Sequence, residues 1–202
     1  MDNSSKTILH LCADIGSDTW PYRDAGYNVI LVGKDIGVEN YTPPKNVYGI
    51  IANPPCTNFS YAKTTGNPRD MREGMRLVKH CLRIIWECQY DLDKPLGKKT
   101  KLKFWALENP YGLLRFFLGI PALEYSPWEY GDNYKKKTNL WGNFNIPKKE
   151  IGAYKTDSHK LPKWDHRPNA DISPKHIGRY DRKTRRSIVS EKFAEAFFRV
   201  NQ

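Results

Sequence analysis

Four short apolar runs constrain the fold of this 202-residue chain more than any other feature. They cover residues 8–11, 29–32, 47–52 and 104–107, and each ends at a turn-forming or polar segment. The sequence pattern predicts a helix over 18–25 and another from Arg69 to Cys88. Continuous apolar runs that alternate with helices are typical of a parallel sheet covered on both faces. The sequence therefore predicts an α/β domain with a mostly parallel sheet.

The distribution of charge divides the chain after residue 142. Residues 143–187 hold twelve Lys or Arg and five Asp or Glu, and therefore about seven of the eleven net positive charges. Four prolines interrupt this stretch, which is typical of irregular structure laid on a domain. We predict a core over 1–142, a basic irregular insert over 143–187 and, over 188–202, a C-terminal helix that packs back on the core with Ser190 as its N-cap.

Composition excludes several classes of protein. No stretch approaches the length of a membrane span, and the first residues lack the pattern of a secretory signal, so we expect a cytoplasmic protein. The four cysteines show no CxxC pairing, which predicts neither a disulfide framework nor a metal site. Cys81 and Cys88 fall on or beside an apolar helix face and are interpreted as core residues. The positive charge indicates a polyanion, most often nucleic acid, although many basic proteins bind none.

Three polar clusters follow the predicted strands, where ligands bind in open parallel sheets. The turn at 14–17 would bring backbone close to a nucleotide-like cofactor, or it is a plain connecting loop. Cys56 is held after a strand by two prolines, where a thiolate would act as a nucleophile; the alternative is a small residue buried in a rigid turn. Glu108 ends another buried strand, where desolvation would raise its pKa, unless it is simply solvated.

These clusters resemble a known family. Pro-Pro-Cys-x-x-Phe-Ser, Glu-Asn-Pro and Lys-Thr-x-Leu-Trp-Gly are similar to motifs IV, VI and VIII of the DNA (cytosine-5) methyltransferases. The ending from Arg185 to Phe198 resembles the close of the short phage-type members, which implies that this protein would protect DNA from restriction. The resemblance implies the class I S-adenosylmethionine-dependent methyltransferase fold, which is a Rossmann-like, doubly wound, mostly parallel sheet. It also implies that the chain has no full target-recognition domain and works in a bacterial or phage-infected host cell.

The resemblance also implies a reaction. Cys56 would add to carbon 6 of a cytosine, which activates carbon 5 to accept a methyl group from S-adenosyl-L-methionine. Glu108 would contact ring nitrogen 3 and the exocyclic amine as charge develops there. The target base would be flipped out of the duplex, with the loop 57–66 closing over it. Lys137 would contact the base or a phosphate; the alternative is one of three solvated lysines.

The segments that would bind the cofactor depart from the family pattern. His10, Cys12 and Asp14 stand where motif I has Asp, Phe and the first Gly, and only Gly16 is retained. Asp14 would accept the ammonium of the cofactor's methionine, or it would cap the next helix. Asp35 is the best match to the acid that holds the ribose, with Glu39 as the alternative. The implied cofactor contacts are Cys12, Asp14, Ile15, Gly16, Asp35, Asn53 and Pro54.

The implied partner is DNA, duplex or single-stranded, with no membrane and no metal. The resemblance places nucleic-acid contacts at Ser60, Asn109, Lys136, Thr138, Arg185 and Arg186. The basic insert would neutralise phosphates, which carry no sequence information directly, so we expect short or relaxed sequence specificity. Within it, Trp164, His166 and His176 would stack on an unpaired base or pin the loop to the core. Whether a partner protein supplies specificity stays open.

Two other functions compete with this one. The first is the same chemistry on RNA, although dedicated RNA enzymes resemble a pattern with the nucleophilic cysteine near motif VI, where this chain has Glu108. The second is a nucleic-acid-binding relic whose cofactor pocket has decayed, motivated by the changes in motif I. The presence of both Cys56 and Glu108 favours an active enzyme.

Overall fold

The computed structural model describes residues 2–13, 15–91, 98–132, 134–150, 180, 184 and 187–202. Over these residues the chain is an α/β protein with a mixed six-stranded sheet, a two-stranded hairpin and four α-helices. The strands are β1 (Thr7–Leu11), β2 (Asn28–Val32), β3 (Val47–Ala52), β4 (Tyr90–Asp91), β5 (Lys98–Lys99), β6 (Phe104–Pro110), β7 (Leu123–Tyr125) and β8 (Thr138–Asn143). The helices are α1 (Trp20–Asp24), α2 (Met71–Gln89), α3 (Arg115–Leu118) and α4 (Glu191–Val200).

The large sheet has the order β2-β1-β3-β6-β8-β7. Its first four strands are parallel, whereas β8 runs antiparallel to both β6 and β7. From β1 the chain moves to β2 on one side and returns to β3 on the other, so the direction of winding reverses between β1 and β3. Ligands of open α/β sheets bind beyond the carboxyl ends of the strands at such a reversal. The prediction of an α/β fold is confirmed at this level.

Alternating side chains give the sheet two apolar faces, each covered by helix. Leu9 and Leu11 of β1 face the cluster that buries Val78 and Cys81 of α2. Ile8 faces the opposite cluster, which contains the buried aromatic residues of α4. This alternation is what the period of two along a strand requires. It also places every other residue at a strand end on the same side of the sheet. This alternation determines which strand-end side chains can meet in the site described below.

The helix predicted from residue 69 begins at Met71, because the Asp70 side chain caps it by accepting a hydrogen bond from Glu73 N at 2.9 Å. Cys81 and Cys88 are both buried in the core beneath it, as predicted. The C-terminal helix also begins as predicted, with Ser190 Oγ accepting from Phe193 N at 3.0 Å.

Two predicted elements differ in detail. The helix expected over 18–25 is a 3-10 turn, Ser17–Thr19, followed by the short helix α1. The fourth strand, expected to end at residue 107, continues through Pro110 because β8 pairs with it as far as that residue. Proline occurs at the last position of β6, beyond the residues 104–107 through which this strand pairs with β3. The pairing strand β8 has a mixed polar and apolar sequence that carries no period-two signal.

Candidate active site at the strand ends

Cys56 lies in a tight turn that follows β3. Its carbonyl oxygen accepts hydrogen bonds from Phe59 N at 2.9 Å and from Ser60 N at 2.8 Å. Cys56 itself is half-buried, while the Phe59 ring is fully buried and anchors the end of the turn in the core. Proline at positions 54 and 55 fixes φ on the approach to this turn. The sequence therefore holds the thiol on a stiff loop at the edge of the sheet.

The loop of Cys56 is tied to the end of the neighbouring strand β6. Asn109 Nδ2 donates a hydrogen bond to Pro54 O at 2.8 Å, and Leu113 N donates one to Phe59 O at 2.8 Å. Gly112 is required for this approach, because a Cβ there would lie 2.3 Å from Phe59 O. Although 55 residues separate Pro54 from Asn109 in the chain, the structure brings the two segments together.

Glu108 occupies the strand position beside Asn53. Asn53 Nδ2 donates a hydrogen bond to Glu108 Oε2 at 3.2 Å. Burial raises the pKa of Glu108 to about 7, and the charge of Asp18 adds to this effect, whereas the Lys136 charge and the bond from Asn53 oppose it. A carboxyl group with a pKa near 7 exists in both protonation states at neutral pH. Glu108 can therefore donate a hydrogen bond as well as accept one.

A polar pocket opens at this edge of the sheet, and Glu108 is part of its wall. Its lining residues are Asp18, Asn53, Glu108, Tyr125, Pro127, Lys136, Thr138, Ser187, Val189 and Ser190. Cys56 is not among these residues, so the structure places it on the adjacent loop. Among the predicted site residues, the pocket gathers Asn53, Glu108, Lys136 and Thr138.

The pocket also contains residues that the sequence analysis did not select. Asp18 lines it beside Glu108, and the buried ring of His10 lies behind Asn53, with Nε2 at 2.8 Å from Asn53 Oδ1. A signal was available for His10, because a titratable residue inside an otherwise apolar strand must find polar partners. Asp18 gave no such signal, since an acid at the start of a helix is commonplace.

Lys136 and Lys137 have different surroundings. Lys136 lines the polar pocket, whereas the Lys137 ammonium pairs with Glu124 Oε1 at 2.7 Å and lies 4.3 Å from the centre of the Tyr111 ring. We call the group formed by Tyr61, Tyr111, Arg115 and Lys137 the aromatic surface, because the two tyrosine rings are 5.6 Å apart and Arg115 also lies over Tyr111. Ser60 borders it through a β-bridge to Gly112.

The predicted cofactor residues lie at the ends of β1 and β2. Cys12 adopts a left-handed backbone conformation with φ of 55°, and its Sγ lies 3.6 Å from Cys81 Sγ. Gly16 is also left-handed, and a Cβ there would touch Leu31 at 2.9 Å. Ile15 is half-buried. This turn is therefore closely packed by the protein's own side chains.

At the end of β2, Asp35 is exposed and is followed by Ile36, which is 52% exposed. Glu39, the alternative acid, forms an ion pair with Arg76 that holds the pKa of its carboxyl below the usual range. Asp35 is therefore the better placed of the two acids to accept a hydrogen bond from a ligand.

Several predicted residues fall outside the part of the chain that the structure describes. These are Asp14, Arg185, Arg186, Trp164, His166, His176 and most of the basic insert. Within the described ranges, no group of three or more His, Cys, Asp or Glu side chains is arranged to hold a metal ion. No helix among the described residues combines the length and apolar character needed to cross a bilayer.

Comparison of the sequence with protein-family models finds no match, and comparison with curated proteins finds none either. The geometry of the strand ends must therefore carry the functional argument.

Proposed function

We propose that this protein transfers a methyl group from S-adenosyl-L-methionine to carbon 5 of cytosine in DNA, with Cys56 as nucleophile and Glu108 as the residue that binds the base. The observation that carries the proposal is the junction between the two motif segments. The bonds from Asn109 to Pro54 and from Asn53 to Glu108 hold the cysteine loop and the glutamate at neighbouring strand ends. The sheet's change of winding beside them supports a Rossmann-like fold of the methyltransferase type.

The chemistry needs a nucleophile and a proton-bearing group near one base. Cys56 Sγ would form a bond to carbon 6 of the cytosine, which moves electron density to carbon 5. Once the methyl group is on carbon 5, loss of the carbon 5 proton and expulsion of the Cys56 thiolate restore the ring and the free enzyme. Glu108, with its pKa near 7, would hold the proton that pairs with ring nitrogen 3 as negative charge develops.

The residues at the ends of β1 and β2 fit the cofactor in chemical type. Asp35 offers an exposed carboxylate for ribose hydroxyls, and Ile36 offers exposed apolar surface for an adenine ring. The Asp18 carboxylate would favour a cationic ligand nearby. S-adenosyl-L-methionine, held by these residues, would supply the methyl group.

The proposed partner is DNA in the cytoplasm of a bacterial or phage-infected cell. The net charge of +11 favours a polyanion, and the partly exposed rings and cations of the aromatic surface suit contact with nucleic acid. Sequence specificity would be short or relaxed, since phosphate contacts position a duplex without reading it.

The test is methyl transfer from radiolabelled S-adenosyl-L-methionine to duplex DNA, single-stranded DNA and RNA. We expect label on carbon 5 of DNA cytosine that disappears in Cys56→Ala and survives in Cys88→Ala, which removes a thiol buried in α2. Label confined to RNA would mean that the substrate is RNA instead of DNA, while the proposed chemistry would stay the same. Absence of label on all three, together with no cofactor binding by calorimetry, would overturn the proposal in favour of a binding protein.

A further inference from the structure

A buried histidine lies behind the polar pocket. His10 sits in β1 and is only 2% exposed. Its Nε2 is 2.8 Å from Asn53 Oδ1, and its Nδ1 is 3.2 Å from Thr19 Oγ1. The carboxylate of Asp18 lies 3.8 Å from Nε2. A buried imidazole with partners on both nitrogens has its protonation state fixed by what those partners can accept.

The orientation of Asn53 identifies the hydrogen on Nε2. Asn53 Nδ2 lies 3.2 Å from Glu108 Oε2 and 3.5 Å from Asp18 Oδ1. Asn53 Nδ2 donates to both carboxyl groups, which leaves the amide oxygen facing His10. An oxygen 2.8 Å from Nε2 requires that Nε2 carry a hydrogen.

The second ring nitrogen, Nδ1, lies 3.2 Å from Thr19 Oγ1, and the Thr19 hydroxyl also donates to Gly16 O at 2.9 Å. Both ring nitrogens of the buried imidazole therefore have polar partners inside the protein, as buried polar groups require.

We propose that His10 is a positioning residue, whose Nε2–H fixes the Asn53 amide so that Asn53 Nδ2 donates to Glu108. Its part in catalysis rests on the function proposed above, but the arrangement itself does not. The role differs from that of a cofactor ligand, because His10 acts on Glu108 through Asn53.

This arrangement predicts how Glu108 titrates. The bond from Asn53 favours the ionised carboxylate, so it works against the burial that raises the pKa of Glu108. Among the described residues, the other groups that face Glu108 are Asp18 from the turn after β1, Tyr125 from β7 and Lys136 ahead of β8. Asp18 also lies 3.8 Å from His10 Nε2. Removing His10 should therefore raise the pKa of Glu108 above about 7.

The first experiment uses the unmodified protein. Long-range proton–nitrogen NMR spectra at pH 6.0, assigned to His10 by their loss in His10→Gln, should show a hydrogen on Nε2 of His10. A spectrum in which Nε2 carries no hydrogen would overturn the proposal, since the Asn53 oxygen would then have no donor.

The second experiment follows the carboxyl carbon of Glu108 by NMR during a pH titration. His10→Leu should raise the midpoint by at least about 0.5 units, whereas His10→Gln, which can still donate to Asn53, should give a smaller rise. His80→Gln, a histidine in α2, is the matched control and should leave the midpoint unchanged.

An unchanged midpoint in a folded His10→Leu variant would overturn the proposal. If that variant does not fold, the spectrum of the unmodified protein still decides. Neither measurement requires methyl transfer, so failure of the proposed function and failure of this inference remain distinguishable.

Discussion

Lys136 and Lys137 are adjacent in the chain, yet they belong to two electrostatic regions. Lys136 lines the polar pocket with Glu108, where burial has removed much of the surrounding water. Lys137 lies on the aromatic surface, where its own side chain is 51% exposed and that of its partner Glu124 is 35% exposed. Coulomb interactions are several-fold stronger in the first environment than in the second. The comparison shows that a run of lysines has to be interpreted residue by residue.

The largest difference between the two regions should appear in activity. Glu108→Gln removes the group proposed to exchange a proton at neutral pH, and losing one such stabilising contact typically costs about 10²–10³ in kcat. Glu124→Gln, on the aromatic surface, should stay within about threefold of the unmodified protein. Methyl transfer under single-turnover conditions measures both. Equal losses of activity in the two variants would contradict the difference between the polar pocket and the aromatic surface.

Stability should depend on pH through the pocket. The folded chain raises the pKa of Glu108 from 4.5 to about 7, so the folded state binds this proton more tightly than the unfolded state does. The contribution of Glu108 to stability is therefore greatest at low pH and is lost as pH rises from 4.5 through 7. Gln cannot ionise. The free energy of unfolding of Glu108→Gln should therefore rise by about 1–3 kcal/mol relative to that of the unmodified protein as the pH goes from low to high.

Urea unfolding at pH 5.0 and pH 8.0 checks this expectation, since the two values lie on either side of a pKa near 7. A constant difference in the free energy of unfolding at both pH values would contradict the raised pKa. Glu124→Gln provides the comparison from the exposed region.

Substitutions at Lys136 and at Lys137 should have different effects on the titration midpoint of Glu108. Lys136→Met removes a positive charge that favours the carboxylate, so the midpoint for Glu108 should rise. Lys137→Met removes a charge that is paired with Glu124 and screened by water, so the midpoint should stay where it is. Carboxyl carbon NMR gives both values. A shift produced by Lys137→Met would place that residue in the pocket instead.

The smallest effect should come from the ion pair on the aromatic surface. Both partners keep much of their solvent exposure, so Lys137→Met should change the free energy of unfolding by less than about 1 kcal/mol, and added salt should reduce the difference further. Thermal unfolding at two salt concentrations measures it. A loss of several kcal/mol would mean that the pair is far less hydrated than its exposure indicates.

Local sequence patterns predicted most of the parallel half of the fold. Continuous apolar runs identified β1, β2 and β3, and the predicted cap at Ser190 identified where the C-terminal helix begins. The antiparallel strands escaped prediction because β7 spans only three residues and β8 mixes polar and apolar side chains. Their stability comes from the pairing of β8 with β6 and of β7 with β8, which is a tertiary property.

The candidate site was predicted in part. The ends of the strands can be predicted from the sequence, and they selected Cys56 and Glu108. The family resemblance added Asn53. The partners of these residues depend on which strands become neighbours and on which face each side chain projects. For that reason His10 and Asp18 entered the site only with the structure, and Lys136 was distinguished from Lys137 only there.

The contact between Cys12 and Cys81 has a consequence for chemical labelling. Cys81 and Cys88 are buried, but Cys12 is half-buried to a degree comparable with Cys56. A maleimide or haloacetamide aimed at the proposed nucleophile would therefore meet a second partly exposed cysteine, and a label on Cys12 would press against α2 because the Cys12 and Cys81 Sγ atoms are 3.6 Å apart. Inactivation by such a reagent identifies Cys56 only in a Cys12→Ser background.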